Sequence, residues 1–385
     1  MSEFNDLLTS WRRDLHQRPE YALTETYTPA FIAQRLREMG VEFEEHVGKT
    51  GIVATIKNGT GKKVVGLRAD FDGILLQEQN TFSYCSKNDG LMHGCGHDGH
   101  TASLLGAVKL LSENKDFDGT IRFVFQPGEE PGKGARAMIE DGIFERFPMD
   151  EIYGLHNAPQ LKGGTLGTCV GGHCSSEDNF KIVIHGRGAH ASQPHQSIDA
   201  MVIAAQIISG LQTIVSRSAN PLQTAVVSCT ELHTDGGHNA IPGNVTILGD
   251  ARSYSPEVQA LIEQRMRAIC KGICDAYGAE CTVEYTHEFA STVNWKSGVE
   301  VIAAAASCVL GEENVDAEAE PNSGSEDFGL FLEHIPGAFA FYGTGKGPDE
   351  EFIPLHNPRY DYNDAYLETA ANLYAAIAKE SLSHK

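Results

Sequence analysis

The sequence predicts an α/β sandwich, a mixed sheet flanked by helices, interrupted by an inserted ferredoxin-like α+β domain. Three observations carry that expectation. Strand-like apolar runs alternate with helical patterns from residue 51 to about 155, and such alternation implies a sheet covered on both faces. The order β-α-β-β-α-β then fills residues 178–288, a self-contained split-βαβ unit. Helix and strand alternate again from 289 to 385. At 385 residues two domains are the natural division, with residues 1–177 and 289–385 forming one and 178–288 the other.

Each element has a local reason. Residues 3–17 read as an amphipathic helix ending before Pro19, and 28–39 as another stopped by Gly40. The runs 51–56 and 63–68 read as strands. Residues 101–113 have helical periodicity, 120–125 form a strand, 133–140 a helix and 152–155 a strand. In the insert, 180–185 alternates as a strand and 197–216 is a long apolar-faced helix. Strands near 223–231 and 244–253, a helix at 256–277 and a strand at 281–286 complete it.

Composition narrows the function. A net charge of −22 argues against a nucleic-acid partner or an anionic membrane surface. No apolar run approaches the roughly 20 residues a membrane span needs. The polar start Met1-Ser2-Glu3-Phe4 does not read as a secretion signal. Nine scattered cysteines fit a reduced compartment better than a disulfide framework, so a cytoplasmic protein is expected. Cys270 and Cys274 are four apart on a helical pattern and form no CxxC motif.

The chemistry concentrates in four segments that follow strands. Met92-His93-Gly94-Cys95-Gly96-His97-Asp98-Gly99-His100 packs three histidines, a cysteine and an aspartate into one loop. Cys95 and His97 are two apart, so in an extended segment both point the same way, and thiolate plus imidazole make half of a divalent metal site. In Phe125-Gln126-Pro127-Gly128-Glu129-Glu130 a strand exits into adjacent carboxylates, one suited to ligate and the other to face a substrate. Gly154-Leu155-His156-Asn157 places a histidine at a strand end, and Pro354-Leu355-His356-Asn357-Pro358 adds a fourth candidate. Taken singly, each has a structural reading; together, in one order and each after a strand, they point to a metal centre.

These segments resemble a known family. Arg68-Ala69-Asp70-Phe71-Asp72, the 92–100 loop, Phe125 to Glu130 and Gly154-Leu155-His156 are similar to signatures of the aminoacylase and carboxypeptidase-G-type metallopeptidases, hippurate hydrolase and indole-acetyl-amino-acid hydrolase branch. Gly186-Arg187-Gly188-Ala189-His190-Ala191-Ser192, Asn239-Ala240-Ile241-Pro242, Gly324-Ser325-Glu326-Asp327-Phe328 and Leu355-His356-Asn357 extend the match over residues 10–375. The resemblance implies that Cys95, His97, Glu130, His156 and His356 ligate two divalent metal ions, zinc or manganese, with cobalt or nickel as further candidates. It implies Glu129 as general base and His190 as an oxyanion donor reaching a neighbouring subunit of a homodimer. Asn239 and Arg252 would contact the substrate's carboxylate or carbonyl, and Asp70 and Asp98 would orient ligands. The role of Ser325-Glu326-Asp327 stays open. His93 and His100 stand in reserve as ligands, and the other histidines, His384 among them, are assigned to structure or surface. Two segments depart from the family pattern. Gly73-Ile74-Leu75 stands where Ala-Leu-Pro is usual, and Gly172-His173-Cys174 where small apolar residues are common, which bears on the acyl-group preference.

The expected activity is metal-dependent hydrolysis of the amide of small N-acyl-L-amino acids, hippurate-like, N-acetyl or aryl-acetyl. Metal-activated water attacks with Glu129 as base, in a catalytic domain carrying an inserted lid and dimerisation domain. The competing readings are a dipeptidase or carboxypeptidase on the same scaffold, and a non-catalytic metal- or ligand-binding protein. An intact Glu129 speaks against the last, because a binding protein has no need of a base there.

Overall fold

The computed structural model of the chain describes residues 2–347 and 350–383; His384 lies outside them. The chain forms two compact units, one of Met1–His173, Thr292–Pro321 and Asp327–Lys385, the other of Cys174–Ser291 and Asn322–Glu326.

The first unit opens with α1 (Glu3–His16), whose Ser2 cap accepts the Asn5 N–H, and α2 (Tyr27–Glu38). β1 (Glu42–Val47), β2 (Gly51–Asn58), β3 (Val64–Asp70), α3 (His97–Glu113), β4 (Gly119–Gln126), α4 (Gly134–Glu140) and β5 (Glu151–Lys162) follow. The chain then builds the second unit from β6 (Glu177–His185), α5 (Ala200–Thr213), β7 (Ala225–Thr234), β8 (Asn244–Ser253), α6 (Pro256–Tyr277) and β9 (Glu280–Phe289). It returns to the first with α7 (Lys296–Leu310), β10 (Gly337–Gly345) and α8 (Leu367–Ser383).

The large sheet is mixed, in the order β1-β2-β4-β3-β5-β10, extended by short strands at Leu166–Gly167 and Val315–Asp316. Its centre is parallel, with β4 beside β3, β3 beside β5 and β5 beside β10. α3 and α8 pack together and on this centre, burying Leu104, Leu105, Val108, Leu373, Tyr374 and Ile377. Each such aliphatic side chain contributes about 1.5–3 kcal/mol when fully buried. The expected mixed sheet flanked by helices is therefore what forms.

The second unit is an antiparallel sheet in the order β7-β8-β6-β9, the strand order of a split-βαβ fold. Ile182 and Ile184 of β6 pack with Ile203 and Ile207 of α5 and with Ile262 and Met266 of α6. Among the described residues one helical stretch, Ala200–Ser218, has the length and composition to cross a membrane. Its Ile203, Ile207 and Leu211 belong to this core.

Two local expectations need correction. The 92–100 loop is not extended through His97: Gly96 turns left-handed at φ +93° and α3 starts at His97, four residues before the expected Thr101. Only glycine takes that conformation without steric cost, and a Cβ at Gly96 would also strike the Asn157 side chain. His156 is not at a strand end, because pairing with β10 carries β5 on to Lys162. The first departure is set by the turn at Gly96 and the second by strand pairing, neither of which local periodicity encodes.

Candidate metal centre

Strand register assembles the site. Parallel pairing sets Asp70 of β3 opposite Gln126 of β4, and Arg68 opposite Gly154 of β5. The residues just past those positions, Asp72, Glu129 and His156, therefore come to one end of the parallel strands, where such sheets place ligands. Asp72 joins the segments. It accepts the peptide N–H groups of Glu129 and Glu130, each at 3.1 Å. His97 Nδ1 donates to its carbonyl at 3.0 Å and lies 3.2 Å from its carboxylate.

Those bonds fix which face each histidine presents. With Nδ1 of His97 donating to Asp72, its buried Nε2 is left without a hydrogen-bond partner. His156 Nδ1 donates to the Asn157 carbonyl at 2.8 Å, and its Nε2 lies 3.4 Å from Cys95 Sγ. Locking one ring nitrogen by a hydrogen bond is how proteins aim the other at a metal. The donor atoms of Cys95, His97 and His156 lie within 4.8 Å of one another, as do those of Cys95, Glu130 and His356. A third set, His97, Glu129 and Glu130, meets the same criterion. All five proposed ligands are thus brought together, with Cys95 common to the first two groups and Glu129 beside them.

The electrostatics suit a cation. His356 Nε2 lies 3.4 Å from Glu130, and hydrogen bonds to Cys95 and Glu130 push its pKa up to about 11. Burial opposes charge on His97, yet Asp70 and Asp72 outweigh it and raise its pKa well above the usual imidazole range. Burial holds His156 well below that range, so it stays neutral with a lone pair to give. The positive charge these anions favour is what a divalent metal supplies. His97 Nε2 and Glu130 Oε1 are both buried without a hydrogen-bond partner, and each is a donor atom that such an ion would satisfy. Thiolate, imidazole and carboxylate together fit zinc-like metals. His356 itself sits at φ +61°, a left-handed conformation uncommon for a non-glycine residue, and its N–H bonds the Gly94 carbonyl at 2.8 Å.

The surrounding shell is polar, buried and paired. Asp70 accepts from Arg68 at 2.8 Å and from His100 at 2.6 Å, and lies 3.8 Å from His97 Nε2. His100 is also 2.6 Å from the Asn157 amide oxygen. Both its nitrogens are engaged, so it braces the site, while its donor atom also lies within 4.8 Å of those of Asp70 and His97. His93 is buried with neither nitrogen bonded, joins no donor group, and is held neutral by burial at about 4. Asp98 accepts from His16 at 2.7 Å and faces Arg12 at 3.7 Å. Although burial opposes it, Asp98 holds His16 charged up to about 9. Asp327, whose role sequence left open, accepts from Arg68, Gln126 and the Ala135 N–H. The residues missed by sequence reasoning are Asp72, Arg12 and His16. Asp72 left a signal: it continues the alternation of Arg68 and Asp70 two residues beyond the end of β3.

The remaining expected residues lie in the second unit. His190 pairs opposite Ala240 and is exposed. Its Nδ1 accepts the Ser192 N–H at 3.2 Å, which leaves the ring proton on Nε2 as an outward donor. Asn239 is exposed, with its carbonyl bonded by the Ala191 N–H. The Arg252 guanidinium is already shared among Asp250, Glu177 and Ser325.

Comparison with known proteins agrees with this architecture. Residues 66–380 match peptidase family M20/M25/M40. The chain is 39% identical over 371 residues to a hippurate hydrolase of Campylobacter jejuni, covering 96% of this chain and 95% of that one. It is 39% identical over 378 residues to an N-acetylcysteine deacetylase of Bacillus subtilis, covering 97% of each. A solved structure from Bacillus subtilis, described as a dinuclear metal binding peptidase from the M20 family, superposes with a TM-score of 0.86 at 34% identity over 99% of both chains. The chain belongs to peptidase family M20/M25/M40, on its amidohydrolase branch, and is a hydrolase of amide bonds.

Proposed function

We propose that the protein hydrolyses the amide of N-acyl-L-amino acids to a carboxylate and a free amino acid, using two divalent cations held by Cys95, His97, Glu130, His156 and His356. The observation that carries this is the pair of donor groups sharing Cys95, with the Glu129 carboxylate 4.0 Å from His97 Nε2. Bound cations there supply Lewis acidity for the amide carbonyl and acidify water. Glu129, on a backbone pinned by Asp72, is the general base that takes the proton of the attacking water and passes it to the departing amine. The similarity to proteins named hippurate hydrolase and N-acetylcysteine deacetylase supports the N-acyl-amino-acid class. Zinc or manganese suits the donor set best, cobalt and nickel next.

For His190 the proposed role is an oxyanion donor, supported by its exposed Nε2–H. For Asn239 and Arg252 it is recognition of substrate polar groups; Arg252 would have to exchange a carboxylate partner to do so. Asp70 and Asp98 orient the ligand segments. The first unit is proposed as catalytic and the second as lid and dimerisation domain. The exposed Met201, Val202 and Val215 around α5 and Val226 and Leu232 on edge strand β7 support a homodimer there. Light scattering would show twice the monomer mass. The net charge of −22 supports a cytoplasmic enzyme acting on small molecules, apart from nucleic acid or membrane.

The test is a hydrolysis screen of N-acetyl and N-benzoyl amino acids against unblocked dipeptides, with each metal returned to the apo-protein. The expected result is metal-dependent turnover of the blocked substrates. Faster turnover of dipeptides would replace this reading with a dipeptidase.

A further inference from the structure

Beside the metal centre the first unit has a cavity of about 370 Å³ walled by Tyr21, Ile74, Leu75, Leu76 and Pro131. Glu130 and His356 close it on the side of the metal ligands. That volume falls within the roughly 300–1,000 Å³ of small-molecule sites.

Its walls are held in place. Ile74 exchanges both peptide hydrogen bonds with Met92, at 2.9 and 3.1 Å, and its side chain lies directly over Gly94 of the metal loop. Gly73 bonds back to the Glu20 carbonyl at 2.8 Å, with Tyr21 bridged to Gly73. Two of the apolar side chains are nevertheless left open to solvent, Leu75 at 70% and Tyr21 at 40% exposure. A leucine on a fixed backbone, exposed at the rim of a cavity beside the ligands, is apolar surface waiting for an apolar partner. The charge of the cavity says which half of the substrate that is. No lysine or arginine is among its lining residues to pair with an amino-acid carboxylate. Apolar walls without a cationic partner suit the neutral acyl half of the substrate and not its carboxylate half.

We propose that this cavity takes the acyl group of the substrate and prefers an aryl or extended alkyl group to acetyl, with Leu75 and Tyr21 as its specificity-determining residues. The proposal rests on the N-acyl-amino-acid reading above. Each further methylene buried against Leu75 raises kcat/KM about four-fold, until the cavity is filled.

The experiment compares kcat/KM for N-acetyl, N-butanoyl, N-hexanoyl, N-benzoyl and N-phenylacetyl derivatives of one amino acid, in the metal-loaded wild type and in Leu75→Asp and Tyr21→Ser. The wild type should climb along the series. In Leu75→Asp the benzoyl-to-acetyl ratio should fall by at least about ten-fold, the value of one buried leucine side chain. Tyr21→Ser should lower it in the same direction. Leu75 is exposed, so the unfolding transition of its variant should stay in place. N-acyl amino acids turned over without dependence on the acyl group, or with a dependence that both variants retain, would overturn the pocket and leave the reaction standing. Turnover of dipeptides with none of the N-acyl series would overturn both.

Discussion

The two sides of the metal centre are built differently. Around Cys95, His97 and His156 every supporting group is buried and paired: Asp72 holds His97, Asp70 joins Arg68 to His100, and Asp98 takes His16 beside Arg12. Around Glu130 and His356 the support is thin. The His356 side chain is 56% exposed, sits on a loop at positive φ, and is held by a backbone bond to Gly94 and the contact with Glu130. Of the two proposed metal positions, the one at Cys95, His97 and His156 is preorganised by a fixed polar shell, while the one at Glu130 and His356 leans on an exposed loop. Preorganised ligands lose less freedom on binding, so the two positions should differ in affinity.

The variant with the largest expected effect acts on neither side. Glu129→Gln keeps the shape of the base and removes its proton affinity; kcat should fall by about 10²–10⁴-fold with metal content unchanged. Steady-state kinetics with metal analysis checks this, and unchanged turnover would remove Glu129 from the mechanism.

Next comes the buried side. Arg12→Met removes the guanidinium that bonds Asp361 and Asp364, both at 2.7 Å, and faces Asp98. Breaking a buried ion pair by removing one partner costs about 3–5 kcal/mol, so urea unfolding should show a loss of that size. His356→Ala, at an exposed position, should cost stability little. It should instead weaken one of two metal-binding steps by at least about 10–100-fold, the cost of losing even an outer-shell partner. Calorimetric titration of the apo-protein would show the first step intact and the second lost. Two equal steps in the wild type, or both lost in the variant, would erase the distinction between the sides.

The smallest effect tests how far the charge of the buried side reaches. Glu25 is buried, with Oε2 accepting the Thr50 hydroxyl at 2.7 Å and Oε1 unbonded. Burial, reinforced by the Asp72 carboxylate, raises its pKa from 4.5 to about 7. Below pH 4.5 both folded and unfolded chains are protonated and the residue costs nothing. Between pH 4.5 and 7 the unfolded chain ionises first, so the folded state loses stability, and above 7 the loss is complete. Glu25→Gln should therefore melt close to the wild type at pH 4.5 and be more stable by about 3 kcal/mol at pH 8. A gain that is the same at both values would place its cause outside this titration.

How much of this the sequence carried follows from which forces were local. The helices at 3–17, 28–39 and 256–277 were legible because an apolar stripe and a stop or cap lie within the same stretch. β1 was not, because Glu42-Phe43-Glu44-Glu45-His46-Val47 is an acidic edge strand whose outward glutamates mask its alternation. The ligand residues were legible as a density of thiol, imidazole and carboxylate. Their grouping was not, since it depends on the register between β3, β4 and β5 and on the turn at Gly96. Arg12 and His16 were invisible as supports, because a buried charge on a helix otherwise reads as part of its polar face. The cavity at Tyr21 and Leu75 likewise exists only once the bridges Tyr21–Gly73 and Ile74–Met92 close.

Stepwise reloading of the apo-protein tests whether two metal ions and Glu129 act together on one N-acyl amide. Hippurate hydrolysis is followed as zinc or manganese is added to the wild type and to Glu129→Gln. Two bound equivalents are expected in both proteins, with turnover returning only in the wild type and only as the second position fills. Hippurate turnover that persists after exhaustive chelation, or that returns equally in Glu129→Gln, would contradict it.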